Sequence, residues 1–195
     1  MAEIRRKLVT VGDVACGKTC LLMSFSLGYF PQDFVPTIFE HYVVDVKLDG
    51  KKVVLALWDT SDREHYNRIR PLAYHRSHVF LICFAIDSPN SLERVGGKWI
   101  SEVQHDCGRG VPILLVGCKK DLRDDQSTIE ALGRNNQAPV SPEQGAETAR
   151  YINAHDYLEC SAKTGEGVLE VFESATRASL LAKPKGYRRS KCMIL

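Results

Sequence analysis

Residues 12–19 read Gly-Asp-Val-Ala-Cys-Gly-Lys-Thr, a complete G-x-x-x-x-G-K-[ST] segment. The apolar run Leu8–Val11 before it reads as a buried strand, and Thr19–Leu27 after it has helical spacing and stops at Gly28. Strand, glycine loop and helix in that order are the setting in which this segment cradles phosphates. The glycines let backbone N–H groups turn inward, and the helix N-terminus adds its dipole. The expected cradle comprises Gly12, Asp13, Val14, Ala15, Cys16, Gly17, Lys18, Thr19 and Cys20. Lys18 would bridge the terminal phosphates, and the Thr19 hydroxyl would ligate Mg²⁺.

A chain of 195 residues fits one domain with ample length to bury a core. Its longest strongly apolar run, Val79–Ile86, is far too short to span a bilayer, and the start does not read as a secretory signal. Seven cysteines, at 16, 20, 83, 107, 118, 160 and 192, are scattered without metal-ligand spacing and read as reduced thiols. The six histidines are equally dispersed and read as structural or surface residues. Net charge is +2, but the stretch Lys183–Leu195 holds five cations and no acid, which leaves residues 1–182 at −3. With no basic patch expected in the folded part, nucleic acid is excluded as a partner.

Strand-like runs fall at Lys7–Val11, Tyr42–Leu48, Val53–Trp58, Val79–Ile86, Ile113–Gly117 and Asp156–Cys160. Asp49-Gly50 between the second and third is a hairpin signal. Helical patterns lie near 18–27, 91–105, 142–153 and 167–181. The alternation predicts a single-domain, doubly wound α/β fold: a six-stranded, mostly parallel sheet flanked by helices, with ligands at the strands' carboxyl ends. Residues 123–140 read as a polar surface insertion with a short helical stretch at Ile129–Leu132. Residues 1–182 form the expected domain, and 183–195, with Pro184 and Gly186, a flexible polybasic tail.

The remaining motifs follow strands, as that fold requires. Asp59 closes the strand Val53–Trp58, where a carboxylate would reach Mg²⁺ through water, although a strand-end aspartate also serves turn chemistry. Lys119 and Asp121 follow Ile113–Gly117 as K-x-D. The Asp121 carboxylate can accept from guanine N1–H and N2–H₂ while the Lys119 stem covers the base. Adenine would leave that carboxylate unpaired, a strong basis for discrimination. Ser161-Ala162-Lys163 after the last strand would complete the pocket, with the Ala162 N–H on guanine O6.

With these residues in hand, the chain resembles a Ras-superfamily GTPase of the Rho family, closest to the Rho branch. The resemblance rests on GDVACGKTCLL (12–22), FVPTIFE (34–40), LALWDT (55–60), RPLAY (70–74), DSPNSLE (87–93), KKDLR (119–123) and ECSAKTGEGV (159–168). It implies a P-loop GTPase fold whose insertion at 123–140 is the Rho-type one. It also implies GTP/GDP and Mg²⁺ as ligands. Thr37 is then a second Mg²⁺ ligand, Phe30 packs on the base, and Cys118 belongs to the base-binding motif. Phe34, Val35, Pro36, Thr37, Ile38, Phe39 and Glu40 form the effector loop. Expected partners are Rho-type effectors, exchange factors and a dissociation inhibitor, met by a monomer.

Cys192-Met193-Ile194-Leu195 is a C-a-a-X box whose terminal Leu favours geranylgeranylation of Cys192. One lipid anchors only reversibly, and the upstream cations would supply the second signal to an anionic leaflet. The expected location is the cytoplasmic face of the plasma membrane, with a cytosolic pool.

Three positions depart from the family on the chemistry itself. Val14 stands where the family has Gly, Asp62 where it has Gly, and Arg63 where it has the Gln that aligns water. Valine's branches crowd the space of the water and of an activator's arginine finger, whose loss forfeits about 10³–10⁵ in rate. Asp62 sets a carboxylate toward the γ-phosphate, at a cost of about 3 kcal/mol for charges about 5 Å apart at an effective dielectric of roughly 20. It also tolerates positive φ less well than glycine. Cys118 replaces an Asn that ties the base loop to the phosphate loop, Phe34 replaces a Tyr, and His41 an Asn. The expectation is a GTP-holding signalling protein with strongly impaired hydrolysis. A cycling GTPase and a nucleotide-insensitive scaffold are the alternatives.

Overall fold

A computed structural model describes residues 3–31, 39–107 and 110–182, without the side chains of Phe39 and Glu64. Six strands form one sheet: β1 (Ile4–Gly12), β2 (Phe39–Leu48), β3 (Lys51–Thr60), β4 (Val79–Ala85), β5 (Ile113–Cys118) and β6 (Asp156–Glu159). Their order is β2-β3-β1-β4-β5-β6. Only β2 runs antiparallel to its neighbour, pairing Leu48 with Lys51 across the Asp49-Gly50 turn. The remaining pairs are parallel, as βαβ crossovers require.

Strand alternation divides the core in two. Leu8 and Leu55 face one side, where they join Leu21 of α1 (Lys18–Leu27) and Phe172 of α6 (Val168–Leu181). Val9 and Phe80 face the other, against Trp99, Ile100 of α3 (Ile100–Cys107) and Ala149 of α5 (Pro142–Tyr151). Every residue of β4 is buried, which is why its sequence is a continuous apolar run.

The structure adjusts several expectations. β1 and β3 are longer than their apolar cores. The helix expected over 91–105 is instead α2 (Pro89–Arg94), a π-helical turn at Val95–Trp99, and α3. Gly96-Gly97 sits inside that turn, where weak helix formers ease the extra residue of a π bulge. α4 (Gln126–Gly133) outlasts the expected Ile129–Leu132, because Asp125 caps it by accepting from the Thr128 N–H. The insertion is fastened at both ends. Arg123 grips the Glu159 carboxylate with two bonds of 2.6 Å, and the Val140 N–H donates to the Ile86 carbonyl at 2.9 Å.

The thiols are not scattered in space. Cys83 and Cys160 both engage Cys118, and Cys16 lies beside them, all four buried. These contacts and burial push the Cys83 and Cys160 thiols up, so they stay protonated at neutral pH. His78 is structural, accepting the Lys7 backbone N–H at Nδ1 at 3.0 Å.

Candidate nucleotide site

The carboxyl ends of β1, β3, β4 and β5 and the residues just after β6 bring the sequence-predicted loops to one rim of the sheet. Gly12 ends β1 with φ +148°, and a Cβ there would stand 2.2 Å from the Cys83 carbonyl oxygen. Gly17 has φ +102° and starts α1, so the two loop glycines are the positions that need their freedom. Lys18 is buried beneath the loop and donates from Nζ to the carbonyls of Gly12 at 2.9 Å and Asp13 at 2.7 Å. Burial alone would lower its ammonium. The nearby Cys16, Asp62 and Asp59 outweigh that and hold it above the usual lysine value. Burial pushes the Cys16 thiol itself up to about 12.

Beside Lys18, the Thr19 hydroxyl donates to Asp59 Oδ2 at 2.6 Å, and Asp59 is fully buried. A hydroxyl and a carboxylate side by side are hard oxygen donors of the kind Mg²⁺ accepts, so these residues fit the ion. Thr37, Phe34, Val35, Pro36 and Ile38 lie outside the described residues. Glu40 sits on β2, opposite Asp59 in register.

Asp13 is held from outside the loop. Its Oδ1 accepts the Trp99 indole N–H at 3.1 Å, and Arg94 reaches Oδ2 at 3.5 Å. Trp99 is fully buried, and the Arg70 guanidinium lies 5.0 Å from its ring. Arg70 in turn donates to the Ser61 carbonyl at 3.2 Å and pairs with Glu102 at 3.0 Å. One aromatic ring therefore connects the phosphate loop with the start of residues 61–64.

The base loops are joined to each other. Ser161 Oγ donates to Asp121 Oδ1 at 2.6 Å, and the Lys120 N–H donates to the Cys160 carbonyl at 3.0 Å. Lys119, at φ +61°, pairs through Nζ with Asp87 Oδ2 at 3.0 Å. Ala162 is half-buried and Lys163 exposed. Phe30, just beyond α1, is 40% exposed. Cys118 packs against the phosphate loop: a Cβ on Gly17 would lie 3.2 Å from its own. The link between the two loops is thus an apolar contact, and Cys118 turns its thiol to Cys83 and Cys160. Cys20 is half-buried on α1.

At the hydrolysis positions, Val14 stands 63% exposed on the crest of the loop. Arg63 is exposed, with its N–H to Ser61 Oγ at 3.4 Å, and Asp62 is half-buried. Asp62 is absent from the described positive-φ residues, so the backbone strain expected there does not arise. Sequence reasoning missed Asp87, Arg94 and Trp99. Asp87 follows β4 closely, and the strand-end rule that found Asp59 and Asp121 would have found it too.

This rim of phosphate loop, buried Thr–Asp pair and K-x-D loop belongs to a Ras-type domain: the Ras family model matches residues 7–181, and the chain belongs to that family. Within it the chain is of the Rho type. It is 63% identical over 194 residues to "GTP-binding protein RHO1" of Candida albicans, spanning 100% of this chain and 98% of that protein. It is 60% identical over 199 residues to "GTP-binding protein rho1" of Schizosaccharomyces pombe, spanning 99% and 98%. With "GTP-binding protein rho5" of the same yeast it shares 57% over 198 residues, spanning 99% and 98%.

Proposed function

We propose that this chain is a membrane-tethered Rho-type switch that binds GTP with Mg²⁺, hydrolyses it very slowly and engages effectors of the actin and polarity class. The observation that carries the reading is a contrast at one rim. The phosphate loop is held by Trp99 and the two base loops are bonded to each other, while Val14, Asp62 and Arg63 occupy the hydrolysis positions. Relatives named for GTP binding and matched over nearly their full length support the ligand.

Lys18 would trade its loop carbonyls for the β- and γ-phosphates, and Asp121 would select guanine. Thr19 and, through water, Asp59 would hold Mg²⁺, which supplies neutralisation of phosphate charge. Val14, exposed on the loop crest, crowds the approach of water and of an activator's arginine. Arg63 brings charge without the carboxamide that both donates to and accepts from a water. Tethering draws on Cys192 and the cations upstream of it.

Single-turnover hydrolysis with a Rho-type activating protein tests this. The expected stimulation is below about tenfold, against the usual 10³–10⁵; a larger one overturns slow turnover. Nucleotide released from freshly purified protein should be mostly GTP. A scaffold reading draws on Asp62, whose carboxylate acts on the same Lys18 ammonium a γ-phosphate would need. Equal effector binding by GDP- and GTP-loaded protein would favour it.

A further inference from the structure

Asp87 stands two residues beyond β4, beside the base loop, and the loop motifs assign it no role. Its place is fixed from both sides. The Ile86 N–H donates to the Cys118 carbonyl at 2.9 Å, and the Ile86 carbonyl accepts the Val140 N–H at 2.9 Å. Buried Ser91 braces the turn that follows: its Oγ accepts the Ala85 N–H at 2.9 Å and donates to the Ser88 carbonyl at 2.6 Å. The carboxylate is thereby carried to the Lys119 ammonium, which lies 3.0 Å from Oδ2.

The two oxygens of that carboxylate are unlike. Oδ1 is closed to solvent and has no hydrogen-bond partner among the described residues. A carboxylate deprived of water on one side depends on the cation that remains, and here Lys119 Nζ donates to Oδ2. The Lys119 side chain is 32% exposed and that of Asp87 24%, so solvent screens the pair only in part. With Oδ1 shut away and Oδ2 on the ammonium, Asp87 acts on a ligand through the lysine.

Lys119 needs such a holder. Its backbone stands at φ +61°, a conformation that residues other than glycine keep only where their surroundings impose it. Its stem runs beside the phosphate loop, with Cγ 3.9 Å from where a Cβ on Gly17 would stand. The residue before it sends no polar group across, since Cys118 turns its thiol to Cys83 and Cys160. A four-carbon stem is flexible, and it stays over a base only while its ammonium is held. We propose that Asp87 is a positioning residue for guanine-nucleotide binding: by fixing the Lys119 ammonium it keeps the lysine stem on the base face. The role rests on the guanine-nucleotide reading and adds to it a determinant outside the loop motifs.

Release of a fluorescent GDP analogue from the full chain tests this. Asp87→Asn should quicken release by about tenfold, the lower end for losing a charged bond that water partly screens. Asp87→Ser, smaller and also uncharged, should match it. Asp87→Glu keeps the carboxylate and should return release to within about threefold of the parent. In a Lys119→Met chain, which retains an apolar stem without the ammonium, Asp87→Asn should quicken release by less than about twofold, because both substitutions remove one interaction. Multiplication of the two effects would overturn the proposal, since Asp87 would then act without the lysine. So would a Glu variant as fast as the Asn variant, or Asn and Ser variants as slow as the parent. A parent chain that takes up no labelled GDP would instead overturn the nucleotide reading, and this role with it.

Discussion

The indole N–H of Trp99 donates to Asp13 Oδ1 at 3.1 Å, so the second residue of the phosphate loop is steered by a π turn remote from it in sequence. The same ring lies against Arg70, which holds the Ser61 carbonyl. Phosphate loop and residues 61–64 share one buried anchor.

Trp99→Phe removes that donor while keeping an aromatic ring in the buried site. A hydrogen bond to a charged group contributes about 1.5–3 kcal/mol, so release of a fluorescent GDP analogue should quicken by about tenfold to a hundredfold. Asp13→Asn keeps an acceptor for the indole and should have a smaller effect. Equal rates for Trp99→Phe and the parent would mean the anchor does not reach the nucleotide.

Restoring the three departures together, Val14→Gly, Asp62→Gly and Arg63→Gln, should recover activator-stimulated hydrolysis by at least about 10³-fold. Arg63→Gln alone should recover little, because Val14 still stands on the crest of the loop. Phosphate release in single turnover distinguishes the two.

The Arg123–Glu159 pair predicts a pH dependence. Burial would raise the Glu159 carboxyl, but two Arg123 bonds and the Tyr157 hydroxyl hold it below its usual 4.5. A depressed carboxyl stabilises the fold above its unfolded-state value and loses that contribution as pH falls through the folded one. Glu159→Gln should therefore cost about 2 kcal/mol at neutral pH, and less as pH falls below that usual value. Urea denaturation at pH 7 and pH 3 measures both.

Four thiols should resist alkylation in the folded protein. Cys16, Cys83, Cys118 and Cys160 are buried, whereas Cys20 and Cys107 are half-buried. Iodoacetamide followed by mass mapping should label the second pair first and the four only after denaturation. Early labelling of Cys118 would show that the base loop opens on its own.

Much of this was legible because an α/β sheet forces function to strand ends. Gly12, Asp59 and Ser161 could be placed from apolar runs, since each run stops within two residues of its strand's end. The break at Val95–Trp99 was not legible: the apolar positions around Gly96-Gly97 suit a continuous helix, and the Trp99–Asp13 bond that accompanies the wider turn joins residues far apart in sequence. The thiol cluster was hidden for a related reason. Chain spacings say nothing of parallel register, which sets Cys118 beside Ala85 and Gly117 beside Glu159, bringing Cys83 and Cys160 to flank Cys118.

The apolar seat of Cys118 on Gly17 has a thermal consequence. Contacts of this kind lose strength on chilling, whereas an amide bridge between the loops would not lose it in the same way. Near freezing, the grip on the base should slacken relative to a Cys118→Asn chain. The two residence times would converge on warming.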